Sequence, residues 1–187
     1  MKIADFGGAY SRTAATARVL TASGSFTSQV GEEILAMARA YAEDGSTFLT
    51  AGDLVNAAAA FSYGLGWLDA GKMLGVIGFP PFVLPQIEEE DGAWQDPLAE
   101  KTARYRTLLD CALNALEIAP DRDTIYARAA DAFLAVAGDT LSRGRMLEEK
   151  GCNLPALLQY SYGFGWVDAG VRAGLFRIRA HREIFTV

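Results

Sequence analysis

Histidine and cysteine are scarce in this chain of 187 residues: one histidine, His181, and two cysteines, Cys111 and Cys152. So few ligands exclude a zinc site of the usual kind, which takes about three or four of them. No local motif supports a Cys–His nucleophile pair, and no phosphate loop or nucleophile–base set is present. No charge-free stretch reaches the roughly 18 residues that would mark a membrane-spanning helix. No stretch alternates convincingly with period two, which argues against half-buried strands. The N-terminus carries no signal-peptide pattern, so the expectation is a cytoplasmic protein with reduced thiols.

Proline is also sparse, and four of its six occurrences fall within residues 78–97. Charge is uneven in the same place. Residues 1–77 carry 5 basic and 7 acidic side chains, 78–97 carry 0 and 5, and 98–187 carry 12 and 11. The sum, −6, argues against binding by phosphate neutralisation, so nucleic acid is not an expected partner. The run Glu88-Glu89-Glu90-Asp91 reads as a solvated linker in which Trp94 should be exposed.

What the chain does have is a repeat. Phe61-Ser62-Tyr63-Gly64-Leu65-Gly66-Trp67-Leu68-Asp69-Ala70-Gly71 returns 99 residues later as Tyr160-Ser161-Tyr162-Gly163-Phe164-Gly165-Trp166-Val167-Asp168-Ala169-Gly170. A period near 100 fits a duplicated small domain rather than a solenoid unit. Helical periodicity predicts six helices. The first runs from about Ala4 to Thr21, with Phe6, Tyr10, Ala14, Ala17 and Leu20 on one stripe. Ser23-Gly24-Ser25 breaks it, and Thr27-Ser28 cap the second, whose stripe is Ile34, Met37, Ala38, Tyr41, Gly45 and Phe48. Gly52 stops that helix and Asp53 caps the third, from about Leu54 to Ile77. Asp96-Pro97 starts the fourth, with a stripe from Leu98 to Leu116. The fifth runs from about Thr124 to Lys150, and Asn153 caps the sixth. The fold class is therefore all-α: two tandem up-and-down three-helix bundles related by internal duplication. The units are residues 1–77 and 98–187, joined by the Pro-rich acidic linker 78–97.

Between 61–77 and 160–176, nine of seventeen positions are identical, and four of these are glycines. Interior glycine costs a helix about 1 kcal/mol relative to alanine, so each copy accepts roughly 3–4 kcal/mol. Close approach of another backbone or of a ligand is the usual compensation. The stripe Tyr63, Trp67, Ala70, Leu74 and Ile77, with its counterpart Tyr162, Trp166, Ala169, Ala173 and Phe176, reads as core. Ser62, Gly66 and Asp69, with Ser161, Gly165 and Asp168, form a groove that admits a neighbouring helix.

Asp69 and Asp168 allow two readings. Each carboxylate could pair locally, with Lys72 at i+3 or Arg172 at i+4, or cap a nearby backbone. Or the two could meet across a pseudo-twofold axis, where one would have a raised pKa and could hold a cation or move a proton. The favoured function is a non-enzymatic helical module for protein contact or self-association, with no cofactor or metal. The alternative is a small-molecule or metal site, with or without a reaction, between the repeats around Tyr63, Trp67 and Asp69 and Tyr162, Trp166 and Asp168. A third reading, weak RNA contact, would use Arg177, Arg179, Arg182 and His181. The plainer reading of those residues is a solvated basic tail that complements a helix end.

Asp44-Gly45, Phe48, Gly52-Asp53, Ala57, Ala60 and Gly66-Trp67-Leu68-Asp69-Ala70 together resemble the archaeal family catalogued as domain of unknown function 357. The second half matches in part: Gly144, Leu147, Gly151 and Gly165-Trp166-Val167-Asp168-Ala169 remain, while Arg143 stands for Asp44 and Cys152 for Asp53. The resemblance implies left-handed up-and-down three-helix bundles in an archaeal cytosolic protein. It implies no catalytic residues, because none are assigned in that family.

Overall fold

The computed structural model describes residues 1–87 and 95–186, with backbone alone at 95 and 96. The expectations for Trp94 and for the acidic run 88–91 fall outside the described residues. Six helices dominate: α1 (Ile3–Thr16), α2 (Phe26–Thr50), α3 (Leu54–Met73), α4 (Gln95–Ala115), α5 (Ile125–Glu149) and α6 (Asn153–Arg172). The fold is all-α with two similar halves.

Each half also carries a feature that the periodicity did not announce. A two-stranded antiparallel ribbon ties the end of its first helix to the end of its third. Strand β1 (Arg18–Val19) pairs with β2 (Ile77–Gly78), and β3 (Leu116–Ile118) pairs with β4 (Phe176–Ile178). Strands of two or three residues are too short to show an alternating pattern. They shorten the expected helices: α1 stops at Thr16, α3 at Met73 and α4 at Ala115. Arg39 of α2 closes the end of α1, donating to the carbonyls of Ala14 (3.3 Å) and Ala17 (3.1 Å). Leu20, expected on the α1 stripe, lies beyond the helix and is exposed.

Local chemistry sets the remaining boundaries. Ser25, read as part of a breaker, is the cap of α2, and its Oγ accepts from the Ser28 amide at 3.0 Å. The expected caps Thr27 and Ser28 lie inside the helix. Asp53 caps α3 as expected, accepting from the Asn56 amide at 3.0 Å. Asn153 does not cap α6. It is the first helical residue, and Cys152 occupies the cap position without a side-chain capping bond. Gly52 and Gly151 adopt positive φ at the turns before α3 and α6. So do Gly75 and Gly174 just past the ends of α3 and α6, where the left-handed conformation closes the helix. Those last two are therefore not interior glycines, and each copy accepts three such costs rather than four.

The two repeat helices, α3 and α6, form the centre and pack on each other along much of their length. Helix α3 is buried nearly all round, with Trp67, Phe61, Leu65 and Leu68 fully buried. Around this pair the other helices supply one side each. Tyr10 and Phe6 of α1 and Ile34 and Ala38 of α2 cover the first half. Leu98 and Leu109 of α4 and Phe133 and Ala137 of α5 cover the second. The α2 stripe holds from Ile34 to Gly45, but Phe48 at its end is exposed.

Glycines shape this packing in a repeated way. A β-carbon on Gly45 would run into the Phe61 ring, and one on Gly144 would run into the Tyr160 ring at the matching place. Each glycine is the hollow that receives an aromatic knob from the central helix. Such close-packed interiors leave no slack for an added methyl group.

Candidate functional site

The candidate residues lie where the halves meet. Gly66 and Gly165 face each other at the crossing of α3 and α6. A β-carbon on Gly66 would fall well inside contact distance of the Tyr162 carbonyl oxygen and 3.1 Å from the Gly165 Cα. A β-carbon on Gly165 meets the Tyr63 carbonyl and the Gly66 Cα in the same way. The small stripe therefore admits a second backbone, and that backbone is its own repeat. Ser62 adds a cross-half bond, its Oγ donating to the Leu158 carbonyl at 2.7 Å. Its counterpart Ser161 is buried, and its hydroxyl has no hydrogen-bond partner among the described residues.

Asp69 and Asp168 do not bond to each other. Each accepts a hydrogen bond from the tyrosine of the opposite half: the Tyr162 hydroxyl donates to Asp69 Oδ2 at 2.8 Å, and the Tyr63 hydroxyl donates to Asp168 Oδ2. Nor, among the described residues, do they form the expected local ion pairs. Lys72 instead sits over the Phe79 ring at 4.6 Å, and Arg172 reaches Glu33 at 3.5 Å. Both cations still act on the carboxylates through space, favouring the ionised forms. Tyr63 and Tyr162 thus occupy both the core stripe and the polar joint. Their hydroxyls escape an orphaned burial only because the other half supplies an acceptor.

The two pairs are alike in design and unlike in surroundings. Asp168 is fully buried, whereas Asp69 is half-buried. Burial pushes the Asp168 carboxyl up to about 6, against the opposing pull of the bonds from Tyr63 and Thr186. Burial raises Asp69 as well, with the Tyr162 bond and Lys72 opposing. Both tyrosine hydroxyls are pushed up, first by burial and then by the neighbouring carboxylate.

Asp168 also holds a segment that sequence reasoning missed. After β4 the chain turns at His181, which takes a left-handed φ of 54°, makes a short 3₁₀ turn at Arg182–Ile184 and folds back over the joint. The Thr186 amide points at Asp168, 3.4 Å from each carboxylate oxygen. Thr186 Oγ1 lies 3.2 Å from the Tyr63 hydroxyl, and the Tyr41 hydroxyl faces both. The Tyr41 and Tyr63 rings pack at 4.4 Å. Among the described residues no such segment is bonded to Asp69. Nothing in the sequence marks Thr186, because its partners lie 18 and 123 residues away.

Trp67 and Trp166 are both buried, in T-shaped contact with Tyr63 and Tyr162 at 6.3 Å. Among the described residues neither indole N–H has a hydrogen-bond partner. The Trp166 N–H faces the Tyr162 hydroxyl and slightly favours its ionised form, but the two do not reach bonding geometry. The basic C-terminal residues divide: Arg179 pairs with Glu117 and His181 lies 3.4 Å from Glu183, while Arg177 and Arg182 line one surface cavity with Arg172. Among the described residues no group of three or more histidine, cysteine or acidic side chains is placed to hold a metal, and no helix is long and apolar enough to cross a membrane.

No curated protein and no solved structure matches this chain. A family described as "Protein of unknown function (DUF357)" matches it twice, over residues 10–77 and 104–176, the two stretches that end in the repeated central helix and its ribbon. The chain belongs to the DUF357 family and carries two copies of its domain.

Proposed function

We propose that the protein is a non-enzymatic helical module that works by protein contact or self-association, built from units at 1–77 and 98–187. One observation carries this reading. Tyr63, Asp69, Tyr162 and Asp168 are engaged with each other across the joint, and Trp67 and Trp166 pack behind them. Their chemistry is used to hold two repeats together. Exposed apolar side chains at corresponding helix starts supply contact surface: Phe26 (75% exposed) on α2, and Ile125 (64%) and Tyr126 (58%) on α5. Isolated exposed apolar residues are common, so it is their occurrence at matching places in both copies that supports the reading.

The test is sedimentation of the full chain over a concentration series, with and without Phe26→Ser and Ile125→Ser together. Concentration-dependent association that the double substitution weakens supports the module. The small-molecule or metal reading rests on a different observation, the raised proton affinity of the buried Asp168. Asp69→Asn and Asp168→Asn decide between the two. If both variants keep full stability but lose a metabolite or metal that copurifies with the wild type, the module reading fails.

A further inference from the structure

We propose that the cleft between α2, α3 and α6 is a peptide-docking site. It is occupied in cis by residues 184–186 and takes in trans an extended peptide with an aromatic side chain followed by a hydroxyl-bearing residue. The inference deepens the interaction-module reading and rests on it. The occupant's chemistry is read from the segment already seated there. Phe185 is buried and stacks on Phe164, with ring centres 6.4 Å apart. Thr186 is held by both of its backbone polar groups. Its N–H faces the Asp168 carboxylate, and its carbonyl accepts from Arg172 Nη2 at 3.3 Å. Its hydroxyl lies 3.2 Å from that of Tyr63. One apolar pocket for a ring, plus a donor and an acceptor for the next peptide unit, is how a groove reads an extended chain.

Two further observations separate this segment from the body of the fold. Its backbone-to-backbone bonds among the described residues are local: Ile184 N–H to the His181 carbonyl at 3.1 Å and Phe185 N–H to the Arg182 carbonyl at 3.3 Å. Undocking therefore breaks no helix and no ribbon, and such elements open at the low end of a protein's stability range. The joint also closes without it elsewhere. Among the described residues the Asp69–Tyr162 pair forms with no strap over it, and the chain that follows β2 reaches α5 and α6, where Leu84 and Ile87 line a cavity with Leu147 and Pro155. The strap is thus an addition to one of two equivalent joints.

The experiment uses the full chain carrying Phe185→Ala, which empties the ring pocket while leaving the rest of the sequence intact. The probe is a fluorescent peptide of the sequence of residues 180–187. The expected result is saturable binding at least tenfold tighter to Phe185→Ala than to the wild type, whose own strap competes. Replacing phenylalanine in the peptide by alanine, or adding Asp168→Asn to the protein, should each weaken it at least tenfold. No saturable binding to the folded variant, or binding indifferent to Asp168→Asn, overturns the proposal. Should Phe185→Ala fail to fold, Thr186→Pro, which removes only the N–H and hydroxyl contacts, takes its place. If neither variant folds, the segment is integral to the fold and the proposal is overturned. The module reading fails separately, through loss of association in the wild-type chain, which the peptide titration does not measure.

Discussion

Gly66 and Gly165 sit against each other so closely that each would drive a β-carbon into the other helix's backbone. Backbone cannot rotate out of the way as a long side chain can. Gly66→Ala should therefore destabilise by about 1–3 kcal/mol, although alanine favours an isolated helix by about 1 kcal/mol. Chemical denaturation measures it. A stabilised variant would mean that the helices are not in contact at this point.

The two cross-half tyrosines should differ. Tyr63→Phe leaves the buried Asp168 with Thr186 as its remaining donor among the described residues, a loss on the order of 2–3 kcal/mol for a charged acceptor. Tyr162→Phe leaves Asp69 half-buried and within the influence of Lys72, so water can replace the lost donor and the effect should be about 1 kcal/mol. Equal losses at both sites would contradict the difference in burial.

Stability should rise as the solution is acidified from neutrality. The Asp168 carboxyl is pushed up to about 6 in the fold, against about 3.9 in an unfolded chain. The folded state therefore holds the proton more tightly. The resulting stabilisation is complete below the unfolded value and is lost as pH rises through about 6. Between neutrality and moderately acid solution the gain is on the order of 1 kcal/mol. Asp168→Asn should flatten that part of the profile, and thermal melts of both proteins across the range would show it. An unchanged slope would place the titrating group elsewhere.

Trp67→Ala removes a fully buried indole from the centre of the first half. The expected loss is about 3–5 kcal/mol, a large share of the stability of a small domain. Collisional quenching of the wild-type fluorescence by acrylamide should leave the Trp67 and Trp166 signals largely protected. Strong quenching of either would conflict with their burial.

Much of this architecture was legible in the sequence, for a physical reason. Glycine and aromatic residues recurring at helical spacing in two copies carry both the period and the packing demand. Tyr63, Trp67 and Ala70, with Gly66 and Gly165, lie where that demand puts them, while Ile77 is buried from the ribbon rather than from the helix. The ribbons were not legible, because Arg18–Val19 and Ile77–Gly78 are too short to alternate and are set by tertiary closure. The cap at Ser25 was hidden by its place beside Gly24, which favours a turn as strongly as a helix start. The joint itself was half legible. The carboxylates stood out, but their partners are fixed by the meeting of α3 with α6, and local spacing suggested Lys72 and Arg172 instead.

The exchanged tyrosine–aspartate bonds have a consequence for how such a chain could arise. Contacts in which residue i of one unit meets j of the other, and j meets i, are isologous, the signature of a twofold dimer. A lone copy of this repeat would present a self-complementary face: a glycine for a glycine, a tyrosine for an aspartate. Fusion of two such copies turns a concentration-dependent association into an intramolecular one. It also frees each half from obeying the same sequence, so that Asp168 can acquire a strap while Asp69 remains without one. A single-repeat homologue that sedimented as a stable monomer would count against this descent.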